Sequence, residues 1–163
     1  MKIIRFLGVI LAGVLMSNCA PLRMATTINN GNINDYQYVF ISPTETLTSS
    51  AGSLYGGNYG AYGATTTKSV NPSDVIAGIL SKEGFIVLPE LRPELSDETL
   101  IVNYGESGRR NRGLGYTIEV TIQFISARTH TLICSGTAEG QGETEADDIR
   151  QAITRSLSAV LAK

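Results

Sequence analysis

The sequence predicts an α+β domain in which an antiparallel sheet of about five strands carries two helices on one face. Residues 116–125 alternate strictly between apolar and polar side chains, as in an antiparallel strand with one face on a core. Residues 72–83 and 144–161 instead repeat apolar residues at helical spacing. The predicted order is β-α-β-β-β-β-α, which is typical of helices packed together on a sheet.

The other predicted strands are short runs of apolar, aromatic and β-branched residues bounded by turn residues. They cover residues 36–42, 85–88, 99–104 and 131–137. The strand at residues 131–137 is the expected hairpin partner of residues 116–125.

Both predicted helices carry capping signals. Asn71 is an N-cap before a proline at the first helical position, and Gly84 is a C-terminal stop. Thr144 with Asp147 three residues later resembles a capping box. The neighbouring Asp147 and Asp148 are therefore predicted to serve the helix terminus, which favours acidic residues, in preference to a metal site. The second helix has an apolar stripe formed by Ile149, Ala152, Ile153, Leu157, Val160 and Leu161.

Length and composition indicate one domain and exclude several classes of activity. The chain has 163 residues, with 13 Lys+Arg against 15 Asp+Glu, a net charge of −2 that disfavours binding to nucleic acid. One His and two Cys are too few for a zinc site of four Cys and His ligands. No nucleotide loop, kinase signature or nucleophile elbow is present. The sequence therefore predicts no enzyme activity, no metal and no cofactor.

Residues 1–18 are predicted to be a secretory signal peptide. Two cations precede an apolar run of eleven residues, which is followed by small residues typical of a signal-peptide cleavage region. That run is shorter than the ~20 residues that span a bilayer. The alternative is a buried N-terminal helix.

Cys19 is the predicted lipidation site, because residues 15–19 resemble a lipobox. Acyl chains, palmitate among them, would hold the protein on a membrane. Ala20 after the cysteine favours the periplasmic side of the outer membrane. Ordinary cleavage near Ser17 or Ala20 is one alternative, and a Cys19–Cys134 disulfide is another. If Cys19 carries lipid, the remaining Cys134 is expected to be buried in a strand and inert, in preference to a reactive nucleophile.

The segment between anchor and domain is polar and rich in Asn, so residues 19–34 are predicted to form a flexible tether to a single domain over residues 35–163. Residues 44–67 are dominated by Gly, Ser, Thr and Tyr and contain no Lys or Arg. They are expected to be a mobile insertion or a loose hairpin. The alternative is an interaction loop, since tyrosine is favoured at interfaces. Its residues would be Tyr55, Tyr59 and Tyr62.

The one concentrated positive charge lies at Arg109, Arg110 and Arg112, flanked by glycines. Arginine forks match phosphate and carboxylate groups, so a loop here could bind a lipid phosphate or a glycan carboxylate. The alternative is a solvated hairpin turn. His130 is predicted to lie in a turn, and the sequence shows no partner for it in catalysis. The adjacent acidic residues 97–98 are predicted to lie in a loop without a catalytic role.

The order of elements resembles that of small uncharacterised bacterial lipoproteins of the Bacteroidetes type with an α+β domain. The resemblance follows the lipobox, Lys-Glu-Gly-Phe at residues 82–85, Thr-His-Thr-Leu at residues 129–132 and above all residues 138–153. It spans roughly residues 36–161, and the insertion at 44–67 departs from it. The resemblance implies an envelope protein and brings no catalytic residues.

The leading hypothesis is therefore a lipid-anchored, non-enzymatic periplasmic protein that binds another envelope component, either a protein or a glycan. A second hypothesis is an accessory structural subunit of an envelope assembly. A third is an envelope hydrolase.

Overall fold

The structure is a computed structural model that describes residues 21–57, 60–112 and 115–162. The predicted signal peptide and Cys19 lie outside these residues. The strands are β1 (Thr26–Asn29), β2 (Tyr38–Ile41), β3 (Leu47–Gly57), β4 (Gly60–Val70), β5 (Ile86–Leu88), β6 (Thr99–Arg112), β7 (Gly115–Ser126) and β8 (Leu132–Gly140). The helices are α1 (Pro72–Lys82) and α2 (Glu145–Leu161), with short 3-10 helices at Ile33–Asp35 and Pro93–Glu98.

The main sheet has six strands in the order β1-β8-β7-β6-β2-β5. β6, β7, β8 and β1 pair antiparallel, whereas β2 is parallel to both β5 and β6. The α+β class is confirmed, but the prediction of an all-antiparallel sheet of about five strands is wrong. The chain passes from β2 to β5 through α1, and a helical crossover returns it to the sheet in the same direction.

The N-terminal strand lies where the sequence predicts a tether. β1 pairs antiparallel with β8, from Thr26↔Thr137 to Asn29↔Cys134. All four residues of β1 are exposed, so the strand is held through its backbone and leaves no apolar pattern in the sequence. Residues 26–29 are therefore part of the main sheet.

The two helices contact each other and cover the same face of the sheet. The predicted caps are confirmed: the Asn71 side chain accepts from Ser73 N at 3.1 Å, and that of Thr144 accepts from Asp147 N at 3.3 Å. Gly84 has a φ of 98°, which glycine adopts without strain. The largest fully buried side chains include Phe124, Ile76, Leu80, Leu100, Ile118, Ile122, Ile149, Ile153 and Leu157.

β3 and β4 form a separate two-stranded sheet. Their antiparallel register runs without a break from Leu47↔Val70 to Gly57↔Gly60. The insertion predicted at residues 44–67 is thus a hairpin, and its base packs into the main core through Leu47 and Val70.

Within the described ranges, no helix is both long enough and apolar enough to cross a bilayer.

Candidate interaction site

The three arginines singled out in the sequence lie in a strand, and the prediction of a loop there is wrong. β6 continues through Arg112 and pairs with β7 from Gly115 onward. This part of the hairpin extends past the apolar core, so polar residues take positions on both faces and the sequence shows no period of two. Because side chains alternate across a strand, Arg109 lies on one face of the sheet, and Arg110 and Arg112 lie on the other.

Arg110 binds a carboxylate that the sequence did not single out. Its Nε and Nη2 donate to Glu139 Oε1 and Oε2 at 2.8 and 2.6 Å, a two-pronged pairing. Glu139 is 2% exposed, and this hydrogen-bonded guanidinium lowers the pKa of its carboxyl to about 2. The carboxylate therefore stays charged in any physiological medium.

The same carboxylate holds the N-terminal segment. Arg23 N donates to Glu139 Oε2 at 2.9 Å, and Arg23 Nε lies 3.6 Å from Oε1. Arg155 of α2 donates through Nη2 to Arg23 O at 2.7 Å and through Nη1 to Glu139 O. We call Arg23, Arg110, Glu139 and Arg155 the arginine clamp. It joins the start of the described chain, β6, β8 and α2.

Arg109 is engaged on the helix-bearing face. Its Nη2 lies 2.5 Å from Glu145 Oε1 in α2 and 3.3 Å from Glu106 Oε2. Its guanidinium also lies 5.3 Å from the centre of the Tyr116 ring, within the range of a cation–π contact. Hydrogen bonding to Glu145 raises the pKa of Arg109, which is therefore fully charged. Arg112, on the other face, donates to the neutral Gln141 side chain.

The clamp borders a cavity of about 110 Å³ between β6, β7 and the N-terminal segment. Glu119 and Glu139 are register partners there, so two like charges stand opposite each other. Ser107 donates to Glu119 at 2.9 Å, while Arg110 neutralises Glu139. An anion entering this cavity would compete with Glu139 for Arg110. Anion binding by Arg109, Arg110 and Arg112 stays a prediction.

The predicted interaction loop falls in the β3–β4 hairpin, where Tyr55 and Tyr62 are register partners. Tyr59 lies outside the described residues. The base of the hairpin is fastened to the N-terminus of α2, since Ala146 N donates to Ser49 Oγ at 2.9 Å. Lys68 lies 2.8 Å from Asp147 Oδ2 and 3.8 Å from Glu143.

The remaining candidates for chemistry lie apart from one another. Cys134 is a free thiol, 1% exposed, and burial raises its pKa to about 11, which keeps it protonated and unreactive at neutral pH. His130 is exposed in the β7–β8 turn at φ 55°, and Asp97 pairs with Arg128 at 3.2 Å. In the part of the chain that the structure describes, no cluster of three or more His, Cys, Asp or Glu could hold a metal.

Tyr104 in β6 is another residue that the sequence did not flag. Its hydroxyl is buried and has no hydrogen-bond partner among the described residues, and burial raises its pKa. The nearby Glu106 carboxylate raises the pKa of Tyr104 further, so the phenol is neutral.

Comparison with known proteins supports the fold. No family model and no curated protein matches the chain. Among solved structures, a single-residue variant of the PelC dodecamer from Paraburkholderia phytofirmans is similar to this chain, with a TM-score of 0.50. The two sequences are 13% identical, and the match covers 86% of this chain and 98% of that chain. The PelC dodecamer in another crystal form is 14% identical over 86% of this chain and 99% of that chain, with a TM-score of 0.44. At 13% identity, the likeness to the first of these structures concerns the fold alone.

Proposed function

We propose that this chain is a lipid-anchored protein of the bacterial envelope that acts by binding and not by catalysis. Acyl chains on Cys19 would hold it at the periplasmic side of the outer membrane. The sequence support is the signal pattern of residues 1–18 and the lipobox-like residues 15–19. The structural support is the β3–β4 hairpin.

The hairpin supports the proposal because its outer strand edges are unpaired and lack the residues that usually prevent pairing with another chain. Each strand has eleven residues, about 35 Å of ribbon at ~3.4 Å per residue, and within the described chain the two strands pair only with each other. An isolated two-stranded hairpin is marginally stable in water. Natural edge strands are usually protected by charged residues or proline, yet residues 46–67 contain neither, and Lys68 at the base of β4 is paired with Asp147 of α2. These edges therefore favour pairing with another chain.

A second copy of the chain is the partner that the hairpin fits best. When an edge meets its own copy, equivalent residues come close together, and a charged edge would place like charges opposite one another. A neutral ribbon avoids this repulsion. PelC, whose fold is similar, forms a dodecamer. We therefore propose that the chain is a structural subunit that assembles with copies of itself, which makes the bound envelope component another copy.

A trimmed hairpin tests this proposal. Replacing residues 51–66 with Asn-Gly keeps the pairs from Leu47↔Val70 to Ser50↔Thr67, including the contacts of Ser49 and Lys68 with α2. Asn-Gly suits the tight turn between two strands. We expect chemical cross-linking of the intact protein in mild detergent to give multiples of one chain mass, and the trimmed variant to stay monomeric with an unchanged unfolding midpoint.

A full-length hairpin with Tyr55→Ser and Tyr62→Ser is the matched control. It keeps the ribbon, so it should assemble like the unmodified protein if strand edges make the contact. Loss of assembly in this variant would assign the contact to the tyrosines. Normal assembly of the trimmed variant, or an intact protein that cross-links only to other proteins or to glycan, would contradict self-association through the hairpin.

A further inference from the structure

The arginine clamp determines how far the folded domain can stand from its anchor. Arg23 is held by Glu139 and Arg155 through backbone and side-chain contacts of 2.7–3.6 Å. Cys19 lies four residues earlier, and a fully extended chain reaches at most ~3.6 Å per residue. Arg23 therefore lies no more than about 14 Å from the Cys19 backbone, whatever path the chain takes.

This attachment lies at one end of the sheet. β1 starts there and β8 ends there, beside the tip of the β6–β7 hairpin and the first turn of α2, and we call this the anchor-proximal end. The opposite, distal end carries the 3-10 helix Pro93–Glu98 and the β7–β8 turn. β6 alone has 14 residues, about 48 Å at ~3.4 Å per residue, so the two ends cannot both approach the anchor.

The two ends also differ in charge. The anchor-proximal end has seven cations and nine carboxylates: Arg23, Lys68, Arg109, Arg110, Arg112, Arg150 and Arg155, against Glu45, Asp74, Glu106, Glu119, Glu139, Glu143, Glu145, Asp147 and Asp148. The distal end has three cations and six carboxylates: Lys82, Arg92 and Arg128, against Asp35, Glu83, Glu90, Glu94, Asp97 and Glu98. The distal end has the larger excess of carboxylates, so an anionic lipid surface repels it more strongly than the anchor-proximal end.

We infer that the anchor-proximal end of the domain, with the tip of β6 at Arg112, rests against the surface of the lipid bilayer, while the acidic distal end points away from it. This inference rests on the proposed acylation of Cys19. The flexible tether predicted over residues 19–34 is thereby replaced by a connection of four residues between Cys19 and Arg23. Arg112 donates to the neutral Gln141, so its charge is available to headgroup phosphates.

Site-specific fluorescence quenching tests the orientation. The full chain, purified from membranes, is labelled at Asn111→Cys near the tip of β6 or at Thr129→Cys in the β7–β8 turn, both exposed and uncharged positions. Cys134 is buried and does not take the label. In vesicles of phosphatidylethanolamine and phosphatidylglycerol with nitroxide-bearing headgroups, we expect quenching at position 111 to be several-fold stronger than at position 129.

A variant with ten Gly/Ser residues inserted between Ala20 and Pro21 provides the control. It leaves the clamp and the lipidation site in place but lengthens the connection, so the preferential quenching at position 111 should be lost. Equal quenching of both labels in the uninserted protein, or stronger quenching at position 129, would overturn the inference. An N-terminal mass without acyl chains would instead overturn the proposed anchor, and the orientation with it.

Discussion

Replacing Gly140 with alanine is expected to destabilise the domain by about 3 kcal/mol, at the upper end of the usual cost of overpacking a core. A Cβ at this position would lie 1.9 Å from the carbonyl oxygen of Asp148 and 2.7 Å from the backbone nitrogen of Ala152. Both atoms belong to the backbone of α2, which cannot yield as a side chain can. The helix would have to move off β8, loosening the apolar stripe that closes the core.

Denaturant unfolding of Gly140→Ala measures this effect, with Gly105→Ala as the matched control. Gly105 also lies in a strand, but a Cβ there would meet nothing within 4 Å. The control should unfold at almost the same denaturant concentration as the unmodified protein. If the two variants behaved alike, the close approach of α2 to β8 would be contradicted.

Removing the carboxylate of the arginine clamp is expected to have the second largest effect. Glu139→Gln should lower the free energy of unfolding by roughly 2–3 kcal/mol at neutral pH, because the bidentate pairing with Arg110 loses its charged acceptor at a buried position. The pKa of Glu139 is lowered from 4.5 to about 2 in the folded protein, chiefly by its hydrogen bonds with Arg110. A lowered folded-state pKa stabilises the fold above the unfolded pKa, and this stabilisation is lost as the pH falls toward 2.

The difference in unfolding free energy between the unmodified protein and Glu139→Gln should therefore shrink as the pH is lowered from 4.5 toward 2. Asp97→Asn is the control, since the Asp97–Arg128 pair is about two-thirds exposed on both sides and such pairs add little. A difference that stays constant over this pH range would show that the charge of Glu139 does not stabilise the fold.

The elements that could be predicted from sequence are those with local signals. α1 and α2 carry their caps and apolar stripes within a few residues, and the alternation in β7 shows which face is buried. The parallel pairing of β2 could not be predicted, because it depends on where α1 returns the chain. β1 lacked any pattern, since all its residues are exposed and only its backbone pairs with β8.

The candidate site was predicted only in part, for a related reason. The arginines stood out as a run of charge, but their partners are distant in sequence: Glu139 is 29 residues from Arg110 and 116 from Arg23. Nothing near Glu139 marks it as buried. The small residues at alternate positions of β8, Gly136, Ala138 and Gly140, were a usable signal, because they allow α2 to lie close to the sheet.

The identity of the mature N-terminus tests the central claim most directly. Intact-mass analysis of the protein isolated from the membrane fraction should give a chain that begins at Cys19 and carries a diacylglyceryl group and a further acyl chain. A chain that retains Met1, begins at another residue or has an unmodified Cys19 would contradict a lipid-anchored envelope protein.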